Sequence, residues 1–139
     1  MNEEDKKICE KLIQIGMTEE QIENAFKINS NLKKVLDIDV VQVMIFLIKN
    51  YNLTQKEIAY VASENPWILT ESFERMRYLE ESYTKLGIEI KELLTKQPIS
   101  MNLNPKALDD FIQELKNENK TDEEIKQIIL NELNEYFSI

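Results

Sequence analysis

The chain has no histidine in 139 residues. Imidazole acid–base catalysis, activation of a nucleophile by a His partner and the common zinc constellations are therefore closed to it. Its one cysteine, Cys9, excludes an intrachain disulfide; with no activating neighbour in the sequence it reads as a semi-buried structural thiol. Two glycines provide no Gly-rich phosphate loop and, with three prolines, little material for β-hairpins. Long apolar runs are missing too. The most hydrophobic stretch, Val40 to Ile48, is too short to span a bilayer, and Gln42 interrupts it. The opening Met1-Asn2-Glu3-Glu4-Asp5 is acidic and unlike a secretory signal, so a cytoplasmic protein with no membrane contact is expected.

Positive charge is scarce. Lys and Arg number 17 against 26 Asp and Glu, giving a formal net charge of −9 and a pI of 4.7. The cations are scattered, with Lys33-Lys34 and Arg75-x-Arg77 the closest groupings, whereas a nucleic-acid surface concentrates them. An acidic balance repels phosphate and suits a basic protein partner. Carboxylates are the abundant functional group, but the neighbours Glu80-Glu81, Asp109-Asp110 and Asp122-Glu123-Glu124 do not share a helix face. Glu19, Glu20 and Glu23 fall in a first helical turn, where they complement the helix dipole. No EF-hand loop is present. Neither enzymatic activity, nor a metal, nor a cofactor is expected.

What the chain does have is a repeated phrase: Thr18-Glu19-Glu20-Gln21-Ile22, Thr54-Gln55-Lys56-Glu57-Ile58 and Thr121-Asp122-Glu123-Glu124-Ile125, with a weaker copy ending in Glu89-Ile90. The anchor isoleucines at 22, 58, 90 and 125 are 36, 32 and 35 residues apart, a period typical of helical repeat arrays. From this composition about 0.3 copies of Thr/Ser-x-x-Glu/Gln-Ile arise by chance, and three are present. Each phrase is helix-start chemistry. The Thr hydroxyl accepts from an early backbone N–H, and the Glu or Gln reaches back to the Thr N–H. Met17 with Ile22 and Leu53 with Ile58 stand at hydrophobic-staple positions. Apolar residues follow three and four places on: Ala25 and Phe26, Val61 and Ala62, Leu93 and Leu94, Ile128 and Ile129. Pro66 and Pro98 each lie eight residues after an anchor and end a helix there; Ser30 and Leu133 take that place in the outer copies.

These signals predict an all-α fold with helices at 3–15, 18–28, 36–50, 54–64, 71–85, 89–96, 105–117 and 122–137. Asn104 caps the seventh, with Pro105 at its first position and Leu103 stapled to Leu108. The segment 36–50 is apolar on most sides and reads as the central buried helix; its β-branched residues leave a buried strand as the alternative.

Tyr51-Asn52-Leu53-Thr54-Gln55-Lys56-Glu57-Ile58, continuing to Asn65-Pro66-Trp67-Ile68-Leu69 and closing at Leu86-Gly87-Ile88, resembles a repeat of the mitochondrial transcription termination factor (mTERF) family. Gly87-Ile88 through Pro98, and Met101 to Leu115, resemble a second unit. The resemblance is clear over residues 51–117 and weak at both ends. It implies a short right-handed, α-solenoid-like stack of helix pairs with about three to four units of 32–36 residues. The expected organisation is one helical-repeat domain over 1–139, with best-formed units 51–88 and 87–117 and degenerate end units 1–50 and 118–139. Members of that family grip nucleic acid on a basic concave face in roles touching transcription and translation. This chain is shorter than a typical member and acidic.

Trp67, the only tryptophan, is either core or an exposed anchor for a partner. Arg75 and Arg77, the only arginines, either pair locally with Glu71, Glu74 and Glu81 or, Arg75 with Lys85 and Lys49, make the one usable anion patch. Tyr136 and Phe137 either seal the core or offer an apolar edge for self-association, which leaves a monomer or a weak homodimer. The function expected from the residues is a non-enzymatic adaptor that engages another protein through an acidic surface. The family resemblance implies the alternative, nucleic-acid binding in transcription, which the net charge disfavours. A third reading is an acidic mimic that blocks a nucleic-acid-binding protein.

Overall fold

The computed structural model describes residues 2–137, and among them every regular element is helical. The α-helices are α1 (Glu3–Gln14), α2 (Glu19–Ile28), α3 (Asp37–Tyr51), α4 (Gln55–Glu64), α5 (Phe73–Thr84), α6 (Ile90–Lys96), α7 (Pro105–Asn117) and α8 (Asp122–Phe137). Three 3-10 turns, Ser30–Lys33, Pro66–Thr70 and Pro98–Asn102, follow α2, α4 and α6. The chain divides into two compact units, Met1–Glu71 and Ser72–Ile139.

The repeated phrase starts helices as its chemistry dictates. Gln21 N–H donates to Thr18 Oγ1 at 3.1 Å while Thr18 N–H donates to Gln21 Oε1 at 2.9 Å. Thr54 with Glu57, and Thr121 with Glu124, close the same reciprocal pair. The staple residues Met17, Ile22, Leu53 and Ile58 are all buried. Two residues before each of these Thr caps the backbone turns left-handed, at Gly16, Asn52 and Asn119. Asn tolerates this region better than other residues with a Cβ. The weaker copy has its left-handed residue at Gly87, so its helix begins at the anchor Ile90 itself, without a side-chain cap.

Each of the first three phrases ends on a second shared device. At Asn29, Asn65 and Gln97, each seven residues past an anchor, the backbone leaves the helical region for similar dihedrals (φ −99, −137 and −131°, ψ 91, 83 and 79°), and the side chain is buried. The residue's own N–H still donates to the carbonyl four back, Ala25, Val61 or Leu93. Proline follows at 66 and 98, but Ser30 stands there in the first copy and the 3-10 turn forms all the same. In the fourth phrase Glu132 occupies the site and α8 runs straight through it.

In the first unit α1 packs on α3 and α2 on α4, with the turn Pro66–Thr70 wedged against α2, α3 and α4. Its core includes Ile8, Leu12, Leu32, Val40, Leu47, Ile58, Val61, Ile68 and Leu69. Buried Asn29 ties the layers together. Its Nδ2 donates to the Pro66 carbonyl at 2.9 Å and to Thr70 Oγ1 at 3.0 Å, and its Oδ1 accepts from Asn31 N–H at 3.0 Å. In the second unit α5 packs on α7 and α6 on α8, with Pro98–Asn102 against α5, α6 and α8. Gln97 plays the matching part there: Nε2 donates to the Leu130 carbonyl at 3.1 Å, and Oε1 accepts from Asn134 N–H at 2.8 Å. Buried Tyr83 donates to the Ser100 carbonyl at 2.6 Å, and burial pushes its phenol well above the usual range.

One expectation is corrected. Segment 36–50 is a helix, not a strand, but it is not buried on most sides. Val40, Val43, Met44, Leu47 and Tyr51 face the core, while Ile38, Ile45 and Ile48 are 50, 43 and 39 % exposed. Its main partners are α1 and one 3-10 turn, which cover a single face.

Candidate partner-binding surfaces

Trp67 sits on the 3-10 turn of the first unit and is half-buried, between buried Pro66 and buried Ile68. Lys49 is exposed on α3 of the same unit. Arg75, Arg77 and Lys85 are exposed in the second unit, the first two on α5 and Lys85 at its C-terminal cap. Arg75 and Arg77 are two apart with buried Met76 between them, so α5 turns them to different sides and does not gather them into one patch. Arg77 Nη1 is 4.0 Å from Glu80 Oε1. Ser72 caps α5 by accepting from Arg75 N–H at 3.1 Å.

Tyr136 and Phe137 lie in the last turn of α8 and meet Phe111 of α7. Ring centroids are 4.9 Å apart for Phe111–Tyr136 and 5.3 Å for Phe111–Phe137, the latter edge-on. Phe137 is half-buried in this cluster, whereas Tyr136 remains 56 % exposed. The aromatic cluster closes one end of an open groove of about 770 Å³ between α7 and α8.

The groove has an apolar floor of Phe111 and Leu115 from α7 and Ile128 and Tyr136 from α8. Its walls are acidic: Glu114 and Glu118 on one side, Glu123, Glu124 and Glu132 on the other, against the single cation Lys120. The sequence explains this layout. On α7, residues 111, 114, 115 and 118 share one face, and on α8 so do 124, 128, 132 and 136. Glu124 is held below the usual carboxylate range, first by the Thr121 backbone N–H and then by the Thr121 hydroxyl of the capping box. Glu123 accepts from Gln127 Nε2 at 3.1 Å.

A second open groove, of about 790 Å³, lies between α1 and α2 of the first unit, over Cys9, Ile13, Ile22 and Phe26. Its charges nearly cancel: Asp5, Glu10, Glu19 and Glu23 against Lys6, Lys27 and Lys33. Burial, and secondarily the nearby Asp5 carboxylate, raises the Cys9 thiol, which therefore stays protonated at neutral pH. Among the described residues no group of three or more His, Cys, Asp or Glu side chains stands close enough to hold a metal ion. No helix among them is long and apolar enough to cross a membrane.

Sequence reasoning singled out Tyr136 and Phe137 but placed Phe111 and Ile128 in the core. The available signal was the shared face of α8, where Glu124, Ile128, Glu132 and Tyr136 alternate acid with hydrophobe. No protein-family model, no curated protein and no solved structure matches this chain.

Proposed function

We propose that this chain is a non-enzymatic helical-repeat adaptor that binds another protein through its acidic surface. The carrying observation is the groove between α7 and α8, where an apolar floor, buried at Leu115, half-buried at Phe111 and Ile128 and exposed at Tyr136, is bordered by five carboxylates and one ammonium. An apolar surface left open to water favours an occupant, and the walls select one of positive charge. In the fold this reading adopts, the four phrases mark units of a short right-handed stack of helix pairs, as the mTERF-like resemblance implies. The buried amides at 29, 65 and 97, recurring at one place after the first three phrases, support that periodicity there, while the fourth phrase has Glu132 instead.

The test sets protein against nucleic acid. Binding of labelled random-sequence DNA and RNA is measured at low salt and again at rising salt. No binding at low salt is expected. Binding that persists there and falls steeply with salt marks phosphate contacts and overturns the adaptor reading in favour of the nucleic-acid one. In parallel, proteins retained by the immobilised chain after nuclease treatment should be basic and released by high salt.

A further inference from the structure

Resting on the adaptor reading, we propose that the groove between α7 and α8 receives a basic amphipathic helix of the partner protein. Its floor presents hydrophobes from two neighbouring helices, the surface into which a helix lays an i, i+3, i+4, i+7 stripe. Along α8 the lining runs from Glu123 to Tyr136, which at 1.5 Å per residue is about 20 Å, or between three and four turns of an incoming helix. Both helices contribute carboxylates beside that floor, Glu124 and Glu132 interleaved with Ile128 and Tyr136 along α8, so an occupant seated on the hydrophobes meets negative charge from both helices. Lys or Arg beside the apolar stripe satisfies them; a neutral helix leaves them uncompensated.

Other occupants fit worse. A phosphate backbone meets five carboxylates at close range. A second copy of this chain brings a surface of net charge −9 against walls of the same sign. The groove between α1 and α2 has a comparable volume but mixed charge, which makes it the internal control.

The probe is a synthetic three-turn Leu/Lys amphipathic helix, titrated against the full chain by fluorescence anisotropy and by NMR shift mapping. A scrambled peptide of the same composition and a Leu/Glu version serve as comparisons. The Leu/Lys helix should bind and shift the signals of Phe111, Leu115 and Ile128. The double variant Glu118→Lys with Glu132→Lys should weaken it more than about tenfold. The double variant Glu19→Lys with Glu23→Lys should leave it unchanged, and circular dichroism establishes that both variants fold. Equal binding of the scrambled peptide, or equal loss in the α1–α2 variant, overturns the assignment. Shifts confined to another face overturn the groove but leave the adaptor reading standing. Failure of all three peptides overturns the groove, and failure together with nucleic-acid binding overturns the adaptor reading as well.

Discussion

Replacing Asn29 by leucine and Gln97 by methionine removes the same kind of buried amide but should carry very different costs. Leucine keeps the branching of Asn29 at a larger volume, methionine keeps the length of Gln97, and each deletes all the side chain's hydrogen bonds. For Asn29→Leu the orphans are the Pro66 carbonyl, Thr70 Oγ1 and Asn31 N–H. Asn31 is exposed and Thr70 half-buried, so water replaces part of what they lose. The buried Pro66 carbonyl keeps the acceptor role of its own 3-10 turn but loses its second donor, and this loss together with crowding by the larger leucine makes a penalty of about 1–3 kcal/mol. For Gln97→Met the orphans are the Leu130 carbonyl and Asn134 N–H. These are four residues apart on one helix and can bond each other directly. The expected cost is below about 1 kcal/mol.

The measurement has a built-in reporter. Trp67 is the only tryptophan and lies in the turn Pro66–Thr70 that accepts the Asn29 amide. Its fluorescence through thermal unfolding follows the first unit. Circular dichroism follows the whole chain. At about 4–8 °C per kcal/mol for a unit of this size, Asn29→Leu should lower the Trp67 midpoint by about 10 °C. Gln97→Met should lower the dichroism midpoint by less than about 8 °C. Hydrogen exchange gives the mechanism: the Asn134 amide stays protected in Gln97→Met, while the Asn31 amide loses protection in Asn29→Leu. If the two substitutions cost the same, or if Asn134 exchanges freely once Gln97 is gone, the re-pairing argument fails.

Further outcomes follow from single groups. Thr54→Ala deletes one half of a capping box and should destabilise the first unit by about 1 kcal/mol in urea unfolding; an unmoved midpoint means the pair contributes nothing. Ser100 is fully buried, and its Oγ has no hydrogen-bond partner among the described residues, so Ser100→Ala should gain about 1 kcal/mol. A loss of stability there would refute the absence of a partner. Glu124 sits below its ordinary 4.5 in the folded chain, so its contribution is present above that pH and is lost as the pH falls through the lowered value. Glu124→Gln keeps an acceptor for the Thr121 N–H and should make the acid loss of stability shallower; an unchanged acid limb counts against the capping bond as its source.

The helix boundaries were legible because each rests on chemistry carried by adjacent residues. The Thr-x-x-Glu/Gln box, Pro105 behind Asn104 and Pro66 and Pro98 act over one helical turn, and α1 to α8 fall within two residues of the expected bounds. The buried amides were not legible. Asn29 and Gln97 find their partners at Thr70 and Asn134, 41 and 37 residues away, and nothing local marks a polar residue as buried. The same limit misread α3. Periodicity reports that a helix is apolar but not how many neighbours it has, and Ile38, Ile45 and Ile48 lie on the side that α1 and the 3-10 turn do not cover. The partial burial of Ile128 follows the same logic at α8, for the anchor Ile125 and Ile129 bury one face and Ile128 falls at its edge. A candidate site on a helical repeat therefore lies where the apolar pattern is wider than the packing it receives. Local sequence supplies the width of the pattern, but only long-range contacts determine how much of it is covered.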